Sequence, residues 1–178
     1  MTGNVRLDPA LAILIACAGS ALFALAALHK LRDMRHFSAA FANYGVPPAL
    51  LRLNLPWAVP ALELGVAVGL WVPAGTLSAV LLAVALLLAY SAAIAVNLRA
   101  GRAGIPCGCG GPDPEQPIAW WMVWRNLVLS CVLMPVLAPR SARPLELTDF
   151  ATIGFGLAAM ALLYAAAGRL LIQYRMQS

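Results

Sequence analysis

The chain has 178 residues, of which 62% are hydrophobic and only 11% are charged. Soluble domains are about 45–50% apolar and about 25% charged, so this composition excludes an ordinary soluble globular domain and a disordered chain. The formal net charge is +5. In such an apolar chain, the basic residues are interpreted first as markers of membrane topology and not as a nucleic-acid-binding surface. At this length we predict a single domain covering residues 1–178.

The first apolar run extends from Pro9 to Leu28, twenty residues without a charge. A bilayer core of about 30 Å needs about 20 helical residues, so this run is long enough to span it. The run is too long for the apolar region of a signal peptide, and no basic cluster precedes it. We therefore predict a first transmembrane helix at about 8–30.

The second apolar region lies between Arg52 and Arg99 and carries a single charge, Glu63, in 46 residues. At about 1.5 Å per residue this length gives about 69 Å of helix, which is enough for two crossings. A segment containing proline and glycine at 72–76 supplies the turn between them. The sequence thus predicts helices at about 53–72 and 74–98.

The remaining apolar runs predict a fourth helix at about 118–138 and a fifth at about 148–170. Trp120, Trp121 and Trp124 mark the entry of the fourth helix as an aromatic belt at the membrane interface. Residues 31–45 are too polar to span, but their apolar residues recur at near-helical spacing, which indicates an interfacial amphipathic helix. The predicted fold class is an all-α membrane protein with a bundle of about five transmembrane helices.

The distribution of basic residues predicts the orientation of the chain. Five crossings place the 30–52 loop, the 99–117 loop and the C-terminus on one side, which carries eight basic residues against three on the other. The positive-inside rule puts the first side in the cytoplasm and the N-terminus outside. The eight residues are Lys30, Arg32, Arg35, Arg52, Arg99, Arg102, Arg169 and Arg175, and the three are Arg6, Arg140 and Arg143.

Two charged residues, Glu63 and Arg125, fall inside predicted transmembrane helices. A charged group at a helix centre costs about 2.5–3.5 kcal/mol on insertion scales, so neither should face lipid. We expect Glu63 to pair with Arg125, or with His29 or Lys30 at the end of the first helix. Such a group could be a proton or substrate relay, or a buried pair that fixes helix packing. Asn126, next to Arg125, belongs to the same set of candidate supporting residues.

The loop at 104–111 contains the sharpest local motif, Cys107-Gly108-Cys109. Glycine allows positive φ angles there and exposes both sulfur atoms. Two cysteines one residue apart close a disulfide only with strain, and strained disulfides exchange readily. The motif therefore indicates thiol–disulfide oxidoreductase chemistry, with Cys107 and Cys109 as candidate catalytic residues.

Alternatives to thiol exchange at this loop are metal binding and a purely structural thiol pair. A structural zinc site needs four ligands, and only His29 and His36 could add imidazole ligands to the two cysteines. No metal site is therefore predicted. Cys17 and Cys131 lie near the middle of the first and fourth helices at similar depth. They are candidates for a second thiol pair, although a buried cysteine usually acts as a small hydrophobic residue.

The first four helices and their loops carry a set of short motifs: Leu28-His29-Lys30-Leu31-Arg32-Asp33 with Phe37, Tyr44-Gly45 and Pro47, Leu55-Pro56, Pro60, Glu63-Leu64-Gly65, Cys107-Gly108-Cys109 and Arg125-Asn126. This combination resembles the MauE family of methylamine-utilisation proteins, within the wider DoxX-like membrane proteins. The resemblance implies a multi-pass inner-membrane protein that helps to mature the small, disulfide-rich, quinone-cofactor subunit of methylamine dehydrogenase in the periplasm. It also implies a thioredoxin-like partner of the MauD type.

Disulfide formation belongs in the periplasm, whereas the charge distribution places the cysteine loop in the cytoplasm. Either the topology is inverted, or the protein passes reducing equivalents across the membrane with Cys17 and Cys131 as intermediates. No cofactor is predicted, and no motif supports a quinone as electron acceptor. Two rival functions are a non-catalytic membrane assembly chaperone and a proton-coupled small-molecule transporter that uses Glu63.

Overall fold

The computed structural model of the chain describes residues 6–45, 54–108 and 116–177, with side chains described up to residue 166. Within these ranges the secondary structure consists of six α-helices, two 3-10 turns and two isolated β-bridges. The helices are α1 (Pro9–Arg32), α2 (Met34–Asn43), α3 (Leu55–Gly69), α4 (Thr76–Arg99), α5 (Trp120–Leu133) and α6 (Leu147–Gln177).

Four segments are long and apolar enough to cross a membrane, by length and composition: Pro9–Arg32, Pro73–Arg99, Trp120–Leu137 and Leu147–Ala166. A fifth apolar helix, α3, has 15 residues and is about 22 Å long. These elements confirm the prediction of an all-α fold with about five apolar helices, and they fit a multi-pass membrane protein.

Two helices end earlier than predicted, for identifiable reasons. The second apolar helix ends at Gly69, because the chain tightens into a turn in which the Val72 N–H donates to the Gly69 carbonyl at 3.2 Å. The helix predicted to reach about 138 ends at Leu133 and continues as a 3-10 turn over Met134–Leu137. Pro135 explains this end, because proline has no N–H to donate and its ring clashes with the preceding helical turn.

The predicted interfacial helix is a separate element, α2, which follows α1 after a single residue. That residue, Asp33, caps α2 because its carboxylate accepts a hydrogen bond from the His36 N–H at 2.9 Å. Gly45 follows the helix with φ 75°, the left-handed conformation that commonly ends helices. Phe37 and Ala40 are buried, so the apolar face of α2 lies against protein.

The chain forms two compact units, Gly19–Leu137 and Met1–Ala18 with Ala138–Ser178. In the larger unit, α4 packs against α3 and α5 and buries one face along its length. Near the cysteine loop this core consists of Ile94, Ile118 and Met122. The larger unit therefore contains most of the candidate site residues.

The smaller unit is held by backbone pairing and by one arginine. The Leu7 N–H donates to the Pro139 carbonyl at 2.8 Å. Arg143 binds Asp8 at 2.9 Å and Asp149 at 2.7 Å. Because the Arg143 guanidinium hydrogen-bonds to the Asp8 carboxylate, the pKa of Asp8 lies below its ordinary value.

Candidate functional site

The loop that carries the cysteine motif is closed at its base by two antiparallel hydrogen bonds. The Cys107 N–H donates to the Gln116 carbonyl at 2.9 Å, and the Ile118 N–H donates to the Ile105 carbonyl at 3.0 Å. Cys107 is disulfide-bonded. Cys109 lies outside the described residues. The structure thus places Cys107 beside a short, fixed piece of backbone at the end of the helical bundle.

Cys107 packs against the cluster of Ile94, Ile118 and Met122, so α4 and α5 support it from one side. From α2, the Tyr44 hydroxyl donates to the Cys107 carbonyl at 3.0 Å. Burial raises the pKa of Tyr44 to about 12, so the hydroxyl keeps its proton at neutral pH. Both backbone polar groups of Cys107 therefore have partners.

Gly108 lies directly against α2 and needs to be glycine for two reasons. Its φ angle is +64°, a backbone conformation that residues with a Cβ atom rarely adopt. A Cβ atom at this position would also lie 3.3 Å from the Ala40 Cβ and 3.7 Å from the Phe37 ring. The middle residue of the Cys-Gly-Cys motif is thus seated on the buried face of α2.

A buried ion pair lies inside the same unit. The Lys30 ammonium contacts the Glu63 Oε1 at 2.6 Å, and the two residues are 6% and 1% exposed. The Tyr90 hydroxyl donates to the same carboxylate oxygen at 2.8 Å. The pair therefore joins α1, α3 and α4. Desolvation of buried charges is costly, and direct pairing with an added hydrogen bond offsets that cost.

Phe37 connects the ion pair with the cysteine loop. The Lys30 ammonium lies 5.5 Å from the centre of the Phe37 ring, and the same ring lies close to Gly108. A second ring, that of Tyr90, also lies 5.5 Å from the ammonium. Because the faces of aromatic rings attract cations, these two neighbours stabilise the charged Lys30 ammonium.

The other predicted polar residues occupy α5 and the end of α1. The half-buried Arg125 lies over the Trp121 ring at 5.3 Å, and its Nε is 3.4 Å from the Asn126 Oδ1. Asn126 is buried, and its Nδ2 has no hydrogen-bond partner. His29 is exposed. Of the three partners expected for Glu63, the structure brings Lys30 into contact.

The remaining two cysteines, Cys17 and Cys131, are free thiols, half-buried and exposed respectively. Among the described residues, no three His, Cys, Asp or Glu side chains cluster as a metal site would require. Among the cysteines of the described residues, Cys107 is therefore the one that forms a disulfide.

Three aromatic residues of this site were not among the predicted site residues: Phe37, Tyr44 and Tyr90. Of these, Phe37 and Tyr44 were noted only within the motifs of the family resemblance. A sequence signal existed for Tyr90, because it is a hydroxyl-bearing residue within the apolar run of α4 and lies two turns before Asn97 on one face. For Phe37 and Tyr44, only their place on the apolar side of an amphipathic helix could have suggested packing.

Comparison with known proteins identifies the family. The family model described as methylamine utilisation protein MauE matches residues 8–139. The chain belongs to the MauE family. The match includes Lys30, Glu63, Cys107 and Arg125, and it ends before α6.

Curated MauE proteins support this membership over most of the chain. The methylamine utilization protein MauE of Paracoccus denitrificans is 39% identical over 132 residues, which cover 74% of this chain and 71% of the relative. The protein of the same name from Paracoccus versutus is 40% identical over 153 residues, covering 85% and 82%. That of Methylophilus methylotrophus is 36% identical over 142 residues, covering 79% and 73%. No solved structure matches this chain significantly.

Proposed function

We propose that this MauE-family chain acts in methylamine utilisation as an inner-membrane protein that assists the maturation of a periplasmic partner by thiol–disulfide exchange. The observation that carries the proposal is the disulfide-bonded Cys107, whose backbone is fixed by Gln116 on one side and Tyr44 on the other. From the family resemblance, the matured partner is the small subunit of methylamine dehydrogenase, and a thioredoxin-like protein of the MauD type exchanges with the loop.

The proposed reacting disulfide joins Cys107 to Cys109. A thiolate of the reduced partner attacks one sulfur atom and displaces the other as a thiolate, giving a mixed disulfide. The second thiolate of the partner then attacks the mixed disulfide. The chain's disulfide becomes two thiols and the partner's two thiols become a disulfide, so two electrons and two protons enter the chain. The relative reduction potentials set the direction of the exchange.

The buried ion pair supports the loop rather than taking part in bond exchange. Lys30 and Glu63 compensate each other's charge, and Phe37 transmits their packing to Gly108. Supporting roles at the same end of the bundle are also proposed for Arg125 and Asn126, which follow Met122 of the Cys107-supporting cluster by about one helical turn, and for His29, which precedes Lys30.

Orientation is part of the proposal. The charge asymmetry favours a cytoplasmic loop, whereas direct exchange with a periplasmic partner requires the loop outside. A membrane-impermeant maleimide, added after a mild reductant to cells carrying Cys17→Ser and Cys131→Ser, distinguishes the two. Labelling only after permeabilisation supports electron transfer across the membrane, and labelling of intact cells supports direct exchange.

The exchange itself is tested with the purified full chain in detergent and a reduced thioredoxin-like protein from a methylamine-utilisation system. We expect one disulfide to be lost from the chain for each disulfide gained by the partner, as measured by alkylation and mass spectrometry. Cys107→Ser should abolish the transfer, and Cys131→Ser, which removes an exposed free thiol, should leave it intact. Maturation in cells that survives Cys107→Ser would instead favour a non-catalytic assembly chaperone.

A further inference from the structure

Tyr44 holds the backbone of the cysteine motif through its side chain. Its hydroxyl donates to the Cys107 carbonyl at 3.0 Å, and its ring packs against the cluster of Ile94, Ile118 and Met122. The backbone of Tyr44 is itself tied to the bundle, because the Asn97 Nδ2 approaches its carbonyl at 3.4 Å. The donor is therefore presented from a packed position at the end of α2.

The hydrogen bond from Tyr44 holds the peptide group between the first two residues of the Cys-Gly-Cys motif. The Cys107 carbonyl belongs to the peptide group that joins Cys107 to Gly108, and Gly108 has a φ angle of +64°. The other polar group of Cys107, its N–H, is bound by a main-chain carbonyl, that of Gln116. The hydrogen bond to the Cys107 carbonyl can therefore be removed by substituting the Tyr44 side chain, whereas the bond from the Cys107 N–H is made to the main chain.

We propose that Tyr44 is a positioning residue that favours the disulfide form of Cys107 over its thiol form. The inference rests on the proposed function for its biological meaning. The bond is present in the disulfide-bonded chain. Reduction removes the cross-link, and a loop containing glycine then samples more backbone conformations. In the reduced form, the hydrogen bond between the Tyr44 hydroxyl and the Cys107 carbonyl is therefore formed for a smaller fraction of the time. This hydrogen bond thus stabilises the oxidised form more than the reduced form.

The test uses the purified full chain in detergent with Cys17→Ser and Cys131→Ser, so that only the loop cysteines titrate. The chain is equilibrated with mixtures of reduced and oxidised dithiothreitol, and the state of Cys107 is measured by alkylation and mass spectrometry. Tyr44→Phe should shift the equilibrium constant towards the thiol form by up to about fivefold, the factor for a hydrogen bond that is present in the disulfide form and absent from the thiol form. At about 30 mV per tenfold, this upper bound corresponds to about 20 mV.

A matched control is Ser20→Ala, which removes another hydroxyl that donates to a backbone carbonyl, that of Ala67 at 2.8 Å. This variant should leave the redox equilibrium unchanged. Tyr44→Leu, which removes the ring as well, should shift it in the same direction as Tyr44→Phe. An unchanged equilibrium in Tyr44→Phe, or an equal shift in Ser20→Ala, overturns the positioning role.

The redox titration contains no partner protein, so its outcome is separate from that of the exchange assay. If Tyr44→Phe shifts the equilibrium but the chain does not exchange with the thioredoxin-like protein, the proposed function fails and the positioning role stands. If exchange occurs and the equilibrium does not move, the positioning role fails alone.

Discussion

The buried ion pair gives a prediction whose size follows from the structure. At 2.6 Å and an effective dielectric constant of about 20, Lys30 and Glu63 attract each other by about 6 kcal/mol. The cost of removing both charges from water offsets much of this attraction, so the intact pair adds little net stability. Removing one partner is different, because the other charge stays buried without compensation. Glu63→Leu should therefore lower the free energy of unfolding by about 3–5 kcal/mol.

The double variant Lys30→Met with Glu63→Leu should recover at least about 2 kcal/mol of that loss, because it leaves no unpaired charge. The measurement is unfolding by denaturant in mixed micelles, followed by the fluorescence of the five tryptophans. Leu62→Met, an exposed change on the same helix, should stay within about 0.5 kcal/mol of the parent. A double variant that loses the sum of the two single losses would refute the pairing argument.

Two further predictions concern the smaller unit and the cysteine loop. Because Arg143 holds the pKa of Asp8 below its ordinary value of 3.8, this contact stabilises the fold above about pH 4 and is lost as pH falls through the lowered pKa; Arg143→Gln should flatten that part of the acid-unfolding profile. Gly108→Ala should destabilise the chain by about 1–2 kcal/mol, because its φ is +64° and its Cβ would crowd Ala40, as measured by unfolding in micelles. Gly104→Ala, a change in open space, is its control, and equal losses in the two variants would contradict the argument.

Much of the fold follows from the sequence, because apolar length and turn composition limit where helices can cross a bilayer. The end of α5 was also within reach, since Pro135 is visible in the sequence and limits the helix. The sequence likewise required a partner for Glu63. It could not select Lys30 over Arg125, because that choice depends on how each helix is rotated about its axis.

The site could be predicted only in part. The Cys-Gly-Cys motif is local in sequence and was therefore found directly. Tyr44 and Phe37 lie more than sixty residues before it and reach it only through the packing of α2. Nothing in their local sequence distinguishes a residue that contacts the loop from one that merely covers the bundle.

Disulfide formation in the matured protein tests the central claim most directly. In a methylamine-utilising bacterium that lacks its own MauE, the chain is supplied in parental form or with Cys107→Ser, Cys109→Ser or Leu62→Met, the last being a change at an exposed residue. The fraction of methylamine dehydrogenase small subunit that carries its disulfides is then measured by alkylation and mass spectrometry. We predict that each loop variant gives the level of cells without the chain, and that Leu62→Met gives the parental level. Full disulfide formation with Cys107→Ser would contradict the account.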